Sequence, residues 1–301
     1  MVTAAMVKEL RERTGAGMVD CKNALKESNG DIDQAIKILR EKGMSAMSKK
    51  ASRIASEGVS YTNVENGVGV ILEVNSETDF VAKNAEFTQF VSDVAIQIAK
   101  NNVTTTKELL EQKWHLDTNN TVEQVLGEKT VVIGEKLSIR RFEKYETKNT
   151  IVTYIHAGGK VAVMVELQAS DTPLVQETGK NIAMQIAAMN PQFVKKEQVS
   201  KDFVEKEREI LTQQAIAQGK PASVVEKVIE GRLQKVIKDM CLIEQEYVKE
   251  TNCTVQQYLD KVSKEAGETI SVIRFVRYET GEGIAKKEEN FADEVAKTIQ
   301  G

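Results

Sequence analysis

Scarcity narrows the class of this sequence before any motif does. The 301 residues include three cysteines, Cys21, Cys241 and Cys253, an odd number without CxxC spacing. That pattern excludes a disulfide scaffold and a thiolate zinc centre, and it fits a reducing compartment in which all three are ordinary buried or half-buried thiols. Three prolines, beside 41% hydrophobic and 29% charged residues, exclude low complexity or disorder as the dominant state. No run of 18 apolar residues occurs, and Met1 to Leu10 reads as an amphipathic helix carrying Lys8 and Glu9 rather than as a signal peptide. A membrane is therefore not an expected partner, and the expected location is cytoplasmic or inside an organelle. No sign of charge dominates either. The 41 basic and 45 acidic side chains are well mixed, for a net charge of -4, which leaves no strong field to hold a nucleic-acid backbone. Histidine is limited to His115 and His156, far apart and without HExxH, and no P-loop, GxSxG or GxGxxG pattern occurs. No metal and no cofactor of the chain's own is expected.

What is present is amphipathic helix, apolar strand and repetition. Residues 2 to 43 read as three short helices separated by turn signals at Thr14-Gly15-Ala16-Gly17 and Asn29-Gly30-Asp31. Leu10, Met18, Ala24, Leu25, Ile32, Ala35, Ile36 and Leu39 supply a compact apolar set. A unit of about 40 residues is marginal alone and is expected to dock on something else. Lys49, Lys50 and Arg53 lie in a polar stretch after Gly43 that reads as a linker. Val68 to Val74 predicts a strand, and Asn84 to Ala99 a helix with Phe87, Phe90, Val91, Val94 and Ile98 at intervals of three and four. A second copy follows, in which Val161 to Leu167 is the strand and Ile182-Ala183-Met184-Gln185-Ile186-Ala187 echoes Val94-Ala95-Ile96-Gln97-Ile98-Ala99. Its strand-to-helix connector is shorter by about five residues.

A stronger repeat aligns Gly134 to Thr147 without gaps on Gly267 to Thr280. Eight of the fourteen positions are identical: Gly134/Gly267, Glu135/Glu268, Ser138/Ser271, Arg141/Arg274, Phe142/Phe275, Tyr145/Tyr278, Glu146/Glu279 and Thr147/Thr280. The core is therefore expected to be a duplicated α+β unit with two antiparallel sheets related by a pseudo-twofold. A helical insertion interrupts the second copy. Val199, Phe203, Ile210 and Ala217 form one stripe, Gly219-Lys220-Pro221 a turn, and Val225, Ile229, Val236, Met240, Ile243 and Tyr247 the returning stripe of an antiparallel coiled hairpin. Phe291 to Ile299 reads as a short tail helix after the Gly281-Glu282-Gly283 bend.

The stretch Glu73 to Lys83 leaves a buried strand and enters a polar loop that contains a large aromatic, and Phe80 is out of phase with both neighbouring apolar patterns. Two readings are open on the residues alone. In one, Thr78 caps a helix, Asp79 complements its dipole and Phe80 folds back on the core. In the other, Asp79 and Phe80 are exposed contacts for a partner. An enzyme using Glu73, Glu77, Asp79 and His156 has thin support, because the two histidines are far apart in sequence and neither stands in an HExxH motif. A scaffold, with ligand-binding N-terminal helices and a dimerising hairpin, is the remaining alternative.

Leu10-Arg11-Glu12-Arg13-Thr14-Gly15-Ala16-Gly17-Met18-Val19-Asp20-Cys21-Lys22-Asn23-Ala24-Leu25 and the Glu73 to Lys83 stretch resemble the two signatures of translation elongation factor Ts. The segment Gly219-Lys220-Pro221 with Glu226-Lys227 and Glu230-Gly231-Arg232-Leu233 is similar to that family's hairpin. Gly281-Glu282-Gly283-Ile284 with Phe291-Ala292-Asp293-Glu294-Val295-Ala296 is similar to its tail, so the resemblance covers essentially the whole chain. It implies a guanine-nucleotide exchange factor for elongation factor Tu rather than an enzyme. Thr78, Asp79, Phe80 and Val81 would insert beside the partner's nucleotide site, disturb its bound magnesium and loosen GDP; both ligands belong to the partner. The N-terminal helices and tail would grip the G domain and the second core half another domain, with Arg11, Met18, Val19, Lys22 and His156 as contacts. The implied architecture is α+β: a three-helix domain similar to ubiquitin-associated (UBA-like) domains, with its linker, over 1–55; core subdomains over 56–147 and over 148–189 with 245–280; a coiled-coil hairpin over 190–244; and a C-terminal module over 281–301.

Overall fold

The structure is a computed structural model that describes residues 2–218 and 222–285. The readings at Gly219-Lys220-Pro221 and Phe291 to Ile299, and the side chain of Val225, lie outside the described residues. The chain is α+β. Its elements in order are α1 (Ala4–Thr14), α2 (Met18–Glu27), α3 (Ile32–Lys50), β1 (Glu57–Glu65), β2 (Val68–Ser76), α4 (Asp79–Ala82), α5 (Ala85–Lys100), α6 (Thr106–Glu111), β3 (Lys113–Trp114), β4 (Asp117–Thr121), α7 (Val122–Ile133) and β5 (Ser138–Glu146). They continue with β6 (Thr150–His156), β7 (Val161–Gln168), α8 (Pro173–Met189), α9 (Lys201–Ala217), α10 (Ala222–Met240), α11 (Val255–Ala266) and β8 (Ser271–Glu279). Two compact units result: the described residues of 1–61, 72–142 and 279–285 form one, and those of 62–71 and 143–278 the other.

In the first unit the three N-terminal helices have the ends their sequence dictates. Thr3 accepts a hydrogen bond from the Met6 amide, Gly15 closes α1 at φ 68°, and Asp31 caps α3 by accepting from the Gln34 amide. Val7, Leu10, Ala16, Cys21, Ala24, Leu25, Ala35, Ile38 and Leu39 form the core of this bundle. Met18 is not part of it. It is 61% exposed, because as the first residue of α2 it has no preceding turn to cover. The linker is also shorter than expected: α3 passes through Gly43 and runs to Lys50, and of the three residues named only Arg53 lies beyond the helix. Gly43 does not break the helix but lets it approach α7, since a Cβ at Gly43 would lie 3.0 Å from the carbonyl carbon of Gly127. On α5, Phe87, Phe90, Val91, Val94 and Ile98 are all buried, as their spacing predicts.

Three strands in the order β1-β2-β5 form one sheet and β6-β7-β8 another, with β3-β4 as a two-stranded ribbon. The β1–β2 connection is Asn66-Gly67, both at positive φ (53° and 78°), the two-residue turn whose twist matches paired strands. β6 and β7 pair antiparallel from Thr150 opposite Leu167 to His156 opposite Val161, turning through Ala157, Gly158 and Gly159 at positive φ.

The duplication extends beyond the aligned fourteen residues. Each of β5 and β8 follows a twelve-residue helix, and α7 and α11 carry the same capping box, Thr121 with Gln124 and Thr254 with Gln257, and end on the left-handed glycines Gly134 and Gly267. Gln97 and Gln185, at matching positions of α5 and α8, are both buried. Gln97 donates to the Lys113 carbonyl and accepts from the His115 amide; Gln185 donates to Gln245 and the Glu246 carbonyl and accepts from the Val248 amide. Between the matched pairs Glu73/Glu166 and Gln97/Gln185 the second copy is five residues shorter, as expected, and the stretch between strand and helix is 77–84 in the first copy and 169–172 in the second.

In the inserted segment α9 and α10 pack on one another around Leu211, Ala215, Ile229, Leu233, Ile237 and Cys241. The buried rows run one position away from the expected Ile210 and Val236. Ile210 is exposed, because the i, i+4 pairs Leu211/Ala215 and Leu233/Ile237 face inward instead.

Candidate functional site

The loop that leaves β2 begins on an unusually well-anchored strand end. Glu73 has a fully buried side chain that accepts from Arg140 and Arg141 at 2.9 and 2.6 Å, from Asn75 Nδ2 at 3.0 Å and from the Gly281 backbone N–H at 2.7 Å. Burial works against its ionisation, but the Gly281 and Asn75 hydrogen bonds and the two guanidinium groups outweigh it, so the carboxyl titrates below the ordinary range. The second copy repeats this arrangement. Glu166, at the matching position of β7, accepts from Arg274 at 2.6 Å and from Asn149 at 2.8 Å, and these bonds likewise overcome burial to hold its carboxyl low.

Beyond Ser76 the first copy goes its own way. Thr78 stands at the N-cap position of α4, but its side chain makes no capping bond. Instead its Oγ1 donates to Glu135 Oε1 at 2.6 Å, and the amides of Glu77 and Thr78 donate to Glu135 Oε2 at 3.0 and 2.9 Å. Glu77 answers by accepting from the Lys136 amide at 2.6 Å and pairing with Arg53 at 3.3 Å. The reading in which the Thr78 side chain caps the helix is therefore corrected: Thr78 occupies the N-cap position, but its hydroxyl goes to a carboxylate 57 residues away in sequence, which also holds the two amides just before the helix. The reading in which Phe80 folds back on the core is overturned as well. Phe80 is 80% exposed, whereas Val81 is 7% exposed and anchors the turn. Asp79 lies in the first turn and pairs with Lys83 at 3.5 Å.

The four residues singled out in the sequence thus form one turn with one apolar side chain outside and one inside. In the second copy Glu268 also accepts from the connector, at the Ser170 amide (3.2 Å) and hydroxyl (2.9 Å), but Thr172 and Pro173 continue directly into α8 and nothing equivalent to Phe80 protrudes. Sequence reasoning named Glu135 only as one of the repeat identities and missed that it supports this loop. Its identity with Glu268 was the available signal.

Of the other residues singled out, Arg11, Met18, Val19 and Lys22 are all exposed on α1 and α2, Met18 at 61% and Val19 at 71%. His156 is exposed at the end of β6 in the other unit, where the Tyr154 hydroxyl lies 2.9 Å from its Nδ1. Of the rival catalytic set, Glu73 is enclosed by its ion pairs and Glu77 and Asp79 are each paired, all within the first unit, and His156 belongs to the second. His115 is partly buried with Nε2 lacking a partner, and burial, with Lys100 nearby, lowers its pKa. Among the described residues no group of three or more His, Cys, Asp or Glu is placed to hold a metal ion, and no helix is long and apolar enough to cross a membrane.

Fold and loop together define an α+β protein with a duplicated core, one copy of which displays an apolar side chain from a braced turn. A family profile described as Elongation factor TS matches residues 77–282. The chain is 49% identical to Elongation factor Ts of Clostridium perfringens (strain SM101 / Type A) over 301 residues, 99% of each chain. It is also 49% identical over 305 residues to that of Clostridium kluyveri, 100% of each, and 48% over 303 residues to that of Clostridium novyi, 99% of each. The chain belongs to the elongation factor Ts family.

Proposed function

We propose that the chain is a guanine-nucleotide exchange factor that binds elongation factor Tu in its GDP form in the cytoplasm and accelerates GDP release during translation elongation, with no active site of its own. The observation that carries this reading is the exposure of Phe80 on a turn whose backbone is pinned beneath it. Phe80 enters the partner beside its nucleotide site, Asp79 acts next to it near the bound magnesium, and Thr78 and Val81 fix the turn to the body of the exchange factor. Met18 and Val19, with Arg11 and Lys22 around them, form an apolar contact with a basic rim for the G domain. His156 contacts a different part of the partner. The N-terminal helices form a UBA-like domain, α9 and α10 a coiled-coil hairpin, and the chain beyond Gly281 a C-terminal module; the domain boundaries proposed are those read from the sequence.

The energetics are those of reciprocal coupling. A partner that holds GDP at nanomolar affinity does so by about 12 kcal/mol, and each tenfold weakening needs about 1.4 kcal/mol of differential binding. Burying an exposed phenylalanine contributes roughly 1.5–3 kcal/mol, one to two decades, and more is available if the magnesium is displaced from the near-ideal octahedral geometry it requires. Release of fluorescent GDP from elongation factor Tu tests the reading. Added wild-type chain is expected to speed release in proportion to its concentration until saturation, and release at the unassisted rate would rule the function out.

A further inference from the structure

We infer that Glu135 is a positioning residue for exchange, acting through Phe80 without touching the partner. The role rests on the exchange reading above and goes further, assigning a function to a side chain 57 residues from the loop it holds. A helix of four residues has no stability of its own, because nucleation is unfavourable before the first hydrogen bonds are propagated. Phe80, being 80% exposed, gains nothing from the core. The direction of its ring must come from the backbone, and that backbone is held at its start by three bonds to one carboxylate: the Glu77 amide at 3.0 Å, the Thr78 amide at 2.9 Å and Thr78 Oγ1 at 2.6 Å. The return bond from the Lys136 amide to Glu77 at 2.6 Å makes this a reciprocal clasp between 77–78 and 135–136. Charge-assisted bonds to two successive amides fix direction as well as position.

The duplication supplies an internal comparison. Glu268, the identical residue of the second copy, braces Ser170 in the same manner, yet no aromatic protrudes there. The brace is thus a property of the fold that the first copy has turned to presentation, by a connector five residues longer carrying Asp79 and Phe80. A clasp that only presents a side chain alters exchange at saturation more than it alters docking, since a displaced group costs about a hundredfold in rate while the rest of the interface still forms.

The test is a double-mutant cycle on GDP release at saturating exchange factor, with complex affinity measured alongside. Glu135→Ala is expected to slow release tenfold or more while weakening binding less than about threefold, with Glu135→Gln between it and wild type. Combined with Phe80→Ala it should cause clearly less loss than the sum of the two, because the brace acts through the turn that carries Phe80 and Asp79. Hydrogen exchange at the Glu77 and Thr78 amides should accelerate in Glu135→Ala, whereas Glu268→Ala should leave release within about twofold. If Phe80→Ala is slow and Glu135→Ala, or Glu135→Gln should the alanine variant not fold, matches wild type, the positioning role is wrong and the exchange reading survives. If Phe80→Ala also matches wild type, the exchange reading itself fails. Fully additive losses would mean that Glu135 acts only on the fold.

Discussion

Two glutamates on the same strand-loop segment carry different kinds of information. Glu73 is wholly enclosed by Arg140, Arg141, Asn75 and the Gly281 amide, and serves structure. Its carboxyl pKa is held below the ordinary carboxylate value, so its contribution to stability is fully present above the unfolded-chain pKa and is lost as the pH falls through the folded one. Glu73→Gln is expected to cost about 3 kcal/mol at neutral pH, because two guanidinium groups lose their counter-charge, and to lessen the acid sensitivity of unfolding. Urea titrations between neutral and acid pH measure both; an unchanged midpoint would show that the ion pairs contribute nothing net. Glu77 and Glu135, by contrast, serve presentation. Phe80 was legible in the sequence as an aromatic out of phase with its surroundings. Its exposure was not, because whether such a ring turns inward depends on Glu135, and no local pattern reveals a partner 57 residues away.

Among the elements, the strands Val68–Ser76 and Val161–Gln168 and the helix Ala85–Lys100 were readable from apolar periodicity, and three N-terminal helices from their caps. The polar stretch after Gly43 was misread as far as Lys50, since a glycine followed by lysines has the composition of a linker. Only the opposing Gly127 shows that the glycine is there for close helix approach. The same substitution should therefore have opposite effects at two helical glycines. Gly43→Ala is expected to destabilise by about 1–3 kcal/mol, as its methyl meets backbone rather than a flexible side chain. Gly231→Ala, with nothing within 4 Å of the added carbon, should stabilise by about 0.5–1 kcal/mol. Thermal unfolding of the two variants checks this; shifts of the same sign would contradict the packing described for α3 and α7. In the inserted hairpin Val199 and Ile229 fall where expected, but Ile210 and Val236 were each assigned one position from the buried residue: both helices have apolar residues at adjacent positions there, and only the facing helix selects between them.

For the whole molecule, the internal repeat was the most informative feature of the sequence, and the structure enlarges it to the capped helices, the paired glutamate–arginine contacts and the connector braces. Both copies lie in one chain, so a core that needs two of them is already complete. A one-to-one complex with elongation factor Tu is therefore expected, and the mass by light scattering measures it; a two-to-two mass would mean that a further surface, such as the α9–α10 hairpin, joins two chains. The copies share a scaffold and differ at the connector, which is where the exchange reading places the chemistry.

That localisation is tested most directly by the rate of fluorescent GDP release from elongation factor Tu with Phe80→Ala at saturating concentration. Removing the ring should slow release at least about tenfold, equivalent to some 1.4 kcal/mol of transition-state stabilisation, while the complex still forms. A variant that drives release as fast as the wild-type chain would contradict the account.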